Sequence, residues 1–196
     1  DNTTGSVNTA VGDQALGSNT TGSNNTGIGQ GALFANTTSD NNTAVGKDSL
    51  ANNSTGTENT AVGALALDAN TTAYRNTAIG YDSLGVCTTG EENTAIGHES
   101  ANALTTGSKN VAVGNDAMGA RTAGDRNTAV GNYCMADGAS TGSYNTAMGD
   151  NANRELTSGD SNTALGAQAL YHETTGDHNV AVGVNALFNQ NGRSGQ

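Results

Sequence analysis

The chain has 196 residues, with 7 Lys+Arg against 18 Asp+Glu and a formal net charge of -11. Leu, Ile, Val and Phe total 27 residues beside 28 glycines and no proline, too little aliphatic volume for a conventional packed globule of this length. The charge opposes contact with a phosphate backbone, and no apolar run is long enough to span a bilayer, so neither nucleic acid nor membrane insertion is expected.

Low aliphatic content with high net charge reads as disorder unless a repeat supplies a fold that needs little core per residue. A repeat is present. After a partial unit at 1–7, the string Asn-Thr-Ala-Val-Gly or a close variant recurs eleven times. It begins at Asn8, Asn25, Asn42, Asn59, Asn76, Asn93, Asn110, Asn127, Asn145, Asn162 and Asn179. Every spacing is 17 residues except the 18 between Asn127 and Asn145. The sequence therefore divides into a partial coil (1–7), eleven coils (8–190) and a tail (191–196), forming one repeat domain over 1–196.

Numbering each unit from its Asn, position 1 is always Asn. Position 5 is always Gly: Gly12, Gly29, Gly46, Gly63, Gly80, Gly97, Gly114, Gly131, Gly149, Gly166 and Gly183. Position 2 is Thr or Val, position 3 is Ala with one Gly (Gly27), and position 4 is aliphatic or Met. Positions 2 and 4 lie on one face of a strand. The Thr-to-Val exchange suggests that this face points inward, with the small residue at position 3 outward. The glycines mark a turn with positive φ, and the asparagines a ladder of stacked amides. A second short strand is expected over positions 8–11, its Leu inward, followed by a Thr-Thr-Gly turn. A 17-residue unit is too short for a helical hairpin repeat but closes one coil of a parallel β-solenoid. Eleven coils stacked at about 4.8 Å make a rod of roughly 50 Å.

Departures from the unit follow in chain order. Cys87 falls at position 12, in a turn, and Cys134 in the small-residue slot at position 8, some three coils away and too far for a disulfide. In the unit at Asn93, Ala101 replaces the Leu of position 9 and Leu104 follows; in the unit at Asn145, Asn153 replaces it and Leu156 follows. Both pairs suggest an interior slot refilled from a neighbouring position. The acids Asp13, Asp48, Glu58, Asp82, Glu91, Glu92, Asp125, Asp160 and Asp177 cluster at positions 6, 7, 16 and 17, a solvated edge that keeps the rod soluble. Glycosylation sequons fall at Asn2, Asn19, Asn24, Asn36, Asn41, Asn52, Asn53 and Asn70. The chain starts in mid-unit and shows no capping segment, which suggests a fragment of a longer fibre or a subunit that stacks end to end.

The runs Val111-Ala112-Val113-Gly114 and Val180-Ala181-Val182-Gly183, each preceded by Asn, resemble the Val-Ala-Ile-Gly motif of trimeric autotransporter adhesin heads. The fuller unit Asn76-Thr77-Ala78-Ile79-Gly80-Tyr81-Asp82-Ser83-Leu84 with Thr88-Thr89-Gly90 is similar to the shaft repeats of phage tail fibres. The resemblance covers the whole chain. It implies a left-handed parallel β-roll assembled as a homotrimer. An outward row of Ala at position 3 also favours lateral assembly, because it would let another chain approach closely.

No catalytic site is expected. There is no GxSxG, HExxH or P-loop pattern. His98, His172 and His178 share no metal-ligand spacing, and the stretch 150–155 resembles a calcium loop but lacks its Gly and Glu. No metal and no cofactor are expected. Rows of Thr from the Thr-Thr-Gly turns raise a remote ice-binding alternative. The sequence thus points to an extracellular structural or adhesive fibre segment, at a cell surface or on a virion. The first reading is the rigid shaft of a viral tail fibre presenting a receptor-binding tip. A bacterial adhesin head and a self-stacking filament subunit are the alternatives. Expected partners are the chain itself, as homotrimer or end-to-end filament, and a cell-surface receptor or glycan.

Overall fold

A computed structural model describes residues 2–138 and 141–196. Eleven three-residue strands follow one another: β1 Thr9–Val11, β2 Thr26–Ile28, β3 Thr43–Val45, β4 Thr60–Val62, β5 Thr77–Ile79, β6 Thr94–Ile96, β7 Val111–Val113, β8 Thr128–Val130, β9 Thr146–Met148, β10 Thr163–Leu165 and β11 Val180–Val182. They form one parallel sheet in chain order, with equivalent positions paired throughout. The 18-residue unit keeps that register: Thr128 pairs with Thr146 and Val130 with Met148. The chain is a parallel β-solenoid with one strand per coil.

The backbone outside the strands is also bonded coil to coil. Thr20 N–H donates to the Thr37 carbonyl (2.8 Å), Leu33 N–H to Ser49 (3.1 Å) and Asn41 N–H to Ser23 (3.1 Å). Proline would delete one rung of such a ladder wherever it fell.

Positions 8–11 are turns, not the expected second strand. The leucines of position 9 do face inward, with Leu33, Leu50, Leu67 and Leu84 fully buried. They reach the interior from left-handed backbone, at φ 53° for Leu33 and 52° for Leu50. Positions 7 and 17 are left-handed as well, for example Asp116 at 54° and Lys109 at 62°. Residues in that region cannot continue a strand, so the coil closes through three such corners and the glycine turn.

The strand faces are the reverse of the expected arrangement. Position 3 is inside: Ala44, Ala61, Ala78 and Ala95 are completely buried. Position 4 points outward, with Ile28 and Ile79 38% exposed and Met148 47%. The reason is room. At Gly27 a methyl group would already lie 3.1 Å from the Ala32 carbonyl oxygen and 3.3 Å from Leu16 Cγ. That space takes Ala and refuses a β-branched side chain. The Ala row therefore offers no outward surface for another chain.

The core is a stack of Ala at position 3, a small residue at position 8 and Leu or Met at position 9. A further interior column runs through position 12: Asn19, Asn36, Asn53, Asn70, Cys87, Leu104, Arg121, Leu156 and Glu173 are all buried. Cys87, expected in a turn, has its side chain fully buried in this column. Ala101 with Leu104, and Asn153 with Leu156, share the interior of their coils.

Candidate functional site

The constant residues of the unit build the coil before they build any surface. Asn76 Nδ2 donates to the Gly90 carbonyl (2.8 Å), closing its own coil, while its Oδ1 accepts the Asn93 backbone N–H (2.9 Å). The same pair of bonds recurs at Asn8, Asn25, Asn42, Asn59, Asn93, Asn110, Asn127, Asn145, Asn162 and Asn179. A short side chain with both donor and acceptor is required, which selects Asn. Among the described residues, direct amide-to-amide bonds in this column join the asparagines from Asn93 to Asn162, at 3.1–3.2 Å. The ladder is thus mainly side chain to backbone.

Amide-to-amide stacking is instead prominent at position 12. Asn36 donates to Asn19 Oδ1 (2.9 Å), Asn53 to Asn36 (3.1 Å) and Asn70 to Asn53 (2.7 Å). This column was not singled out from the sequence, although the Asn-Thr-Thr of three of the first four units, with Asn53-Ser54-Thr55 in the other, is its signal. It also buries the sequon asparagines Asn19, Asn36, Asn53 and Asn70, closing them to modification in the folded coil.

The glycines of position 5 have φ between 121° (Gly183) and 142° (Gly131). From Gly12 to Gly166 each lies against the carbonyl of the next glycine in the column. A Cβ at Gly149 would sit 2.6 Å from the Gly166 carbonyl carbon. Conformation and contact both demand glycine there.

The Thr side chains of position 13 are committed too. Thr20 Oγ1 donates to Thr37 O (3.0 Å), Thr105 to Thr122 (2.7 Å) and Thr157 to Thr174 (2.8 Å). The acids are only partly a solvated edge. At position 16, Asp125, Asp160 and Asp177 accept backbone N–H groups from the preceding coil at 2.7–2.8 Å. At position 17, Glu58, Arg75, Glu92 and Lys109 alternate in sign, with contacts of 2.7 Å and 3.7 Å. These pairs are exposed and contribute little each. Burial raises the Asp68 and Asp82 carboxyls above their usual range, and the Asp82 charge adds to the rise at Asp68.

The remaining titratable groups are scattered. His98 stacks on Tyr81 at 5.3 Å, His172 Nδ1 lies 2.9 Å from Glu155 Oε2, and His178 is exposed. Cys87 and Cys134 are both free and buried, and burial pushes their thiols up to about 11 and about 12. The buried Arg121 guanidinium donates to the Gly142 carbonyl, and burial lowers its pKa to about 10. The calcium-loop-like stretch 150–155 is a turn. Among the described residues, no three His, Cys, Asp or Glu are grouped to hold a metal ion, and no helix is long and apolar enough to cross a membrane.

What remains as a candidate site is a surface. Positions 2 and 4 of all eleven strands face outward as two parallel rows, one of Thr with occasional Val and one of Val, Ile, Leu or Met. At about 4.8 Å per coil the rows run roughly 50 Å. The aliphatic row is continuous: Val11, Ile28, Ile79, Ile96, Met148 and Val182 are exposed, and the members between them are half-buried. Val, Ile, Leu, Met and Thr thus face outward where Ala had been expected. No protein-family model, curated protein or solved structure matches the chain.

Proposed function

We propose that the chain is a non-catalytic segment of an extracellular homotrimeric fibre whose three copies meet through the outer Thr-and-aliphatic face of the strands. The observation that carries this reading is the unbroken outward row from Val11 to Val182. The apolar interior of each coil is small, mainly an Ala, a small residue and usually a Leu or Met, while the aliphatic side chain of position 4 stays half-buried or exposed. Covering that row with the same row of two further copies removes it from water and adds the core that a single coil lacks. The resemblance of the unit to tail-fibre shafts supports a rigid shaft that presents a receptor-binding tip. The resemblance of its Val-Ala-Val-Gly runs to adhesin heads supports the bacterial alternative. In either case the work is mechanical: a stiff rod in which every coil is hydrogen-bonded to the next.

Light scattering of the purified chain tests the assembly. A discrete mass of three times 19.4 kDa is expected. The double substitution Ile79→Lys and Ile96→Lys is expected to give a monomer with an unchanged β circular-dichroism signal, because both side chains lie outside the coil. A discrete monomer for the unsubstituted chain overturns the reading. Growth into long rods with concentration would replace it with a self-stacking filament.

A further inference from the structure

The chain carries five sulfur atoms, in Cys87, Met118, Cys134, Met135 and Met148. Four of them are enclosed: Cys87, Met118, Cys134 and Met135 are completely buried in the coil interior. Burial also holds both thiols in the protonated, unreactive form. Met148 is the exception. It stands at position 4 of β9, on the outer face, and is 47% exposed.

Its place in the aliphatic row sets it apart. The other ten strands hold Val, Ile or Leu at position 4. Met148 pairs in register with Val130 on one side and Leu165 on the other. Even with both neighbours in place it is more exposed than any other member of the row except Val11 and Val182, which lie on the two end strands. Its unbranched side chain is longer than the Val and Leu beside it. The thioether is polarisable and adaptable, which suits packing against another molecule.

We propose that Met148 is an oxidation site that controls assembly through the outer face: peroxide converts it to the sulfoxide in the separate chain, and the sulfoxide disfavours the trimer. The inference rests on the trimeric reading above. In the reaction a sulfur lone pair attacks one peroxide oxygen. An S–O bond forms as the O–O bond breaks, and water leaves, so sulfur loses two electrons and peroxide gains them. The product is a polar oxygen in the middle of an apolar row. In the separate chain water solvates it. Between copies its own row offers no hydrogen-bond donor, because every like position is aliphatic, and a polar group covered without a partner opposes assembly. The same covering protects the thioether once the trimer has formed, so the site is open to peroxide before assembly and closed after it.

Hydrogen peroxide with fragmentation mass spectrometry, and light scattering of two variants, test the proposal. The full chain carrying Ile79→Lys with Ile96→Lys, whose face is open, should gain one oxygen at Met148 while Met118 and Met135 stay reduced. Met148 of the unsubstituted trimer should react several-fold more slowly. Met148→Gln places a polar oxygen at the same point. It should keep the β circular-dichroism signal and raise the concentration needed for the trimer about tenfold or more, the loss expected for one polar group without a partner. Met148→Leu should assemble as the unsubstituted chain does and be indifferent to peroxide, since Leu165 already fills the same position one coil on. Oxidation of Met118 or Met135 as fast as Met148 overturns the proposal. So does equal reactivity of Met148 in the trimer and the open chain, or a Met148→Gln chain that assembles unchanged. An unsubstituted chain that is monomeric before any peroxide overturns the trimeric reading and this proposal with it. A trimer indifferent to Met148→Gln overturns this proposal alone.

Discussion

At the scale of the residue, the fold rests on a few side chains that satisfy conformation and contact together. Gly149 shows both constraints: φ is 138°, and a methyl would collide with the Gly166 carbonyl. Gly149→Ala is expected to cost at least about 3 kcal/mol, left-handed strain and backbone clash combined. The check is a denaturant midpoint against Gly85→Ala, whose backbone is not left-handed and whose methyl meets the flexible carboxylate of Asp82. The thiols give a prediction in pH. The folded state raises Cys87 and Cys134 to about 11 and about 12 from an ordinary 9. A raised thiol pKa means that the folded chain keeps a proton which the unfolded chain loses. The stability these groups contribute is therefore full below pH 9 and declines as pH climbs toward 11 and 12. The slope is about 1.4 kcal/mol per pH unit for each thiol. Between pH 8 and pH 10.5 the natural chain should lose more stability than Cys87→Ala with Cys134→Ala, read as denaturant midpoints; Arg121, lowered to about 10, acts in the opposite direction in both. Iodoacetamide should leave the folded chain unlabelled at pH 8.5; prompt labelling would contradict the burial.

At the scale of the element, each strand is three residues long and could not exist alone. It is held by its two neighbours and by the ladders of Asn, Thr and Asp around it. Its two faces do different work, and substitution can separate them. Ala78→Val overfills the interior of β5 and should cost about 1–3 kcal/mol in any assembly state. Ile79→Thr, one residue along, should leave the folded coil nearly as stable while weakening the proposed trimer. Thermal melts beside light-scattering masses distinguish the two effects. Equal losses of stability from both substitutions would mean that the outer face is not an outer face. The assignment of position 3 to the outside failed for a simple reason. Alternation fixes which residues share a face but leaves open which face is wet, and β-branched residues usually claim the core. Here the coil is too narrow for them.

At the scale of the whole molecule, every strand contacts only the one before and the one after it. Stability is then a sum over coils and the contacts between adjacent coils. Deleting residues 76–92, one whole unit, joins Arg75 to Asn93 with every ladder in register. The shortened chain should fold and melt a few degrees lower. Deleting residues 76–84 breaks the Asn, Gly and Thr columns at once and should abolish cooperative melting. If both deletions behave alike, the 17-residue period is not the structural unit.

The period, the number of coils, their parallel stacking in register and the glycine turn were all legible in the amino-acid order. Each of these follows from recurrence, because a residue repeated at one position eleven times is repeated for a geometric cause. The inward Leu of position 9 was legible for the same reason. The rest depends on how the coil closes in three dimensions. Positions 7, 9 and 17 are left-handed in ordinary residues such as Leu50, Asp116 and Lys109, and nothing in those side chains announces such a backbone. The second strand dissolved into corners on that account. The Asn column of position 12 gives way to Cys87, Leu104 and Arg121, so its interior place is hidden by changing chemistry. The orientation of the strand depends on the width of the closed coil, which no single unit reveals. That width places Ala inside and leaves the Thr and aliphatic side chains of positions 2 and 4 on the outer face.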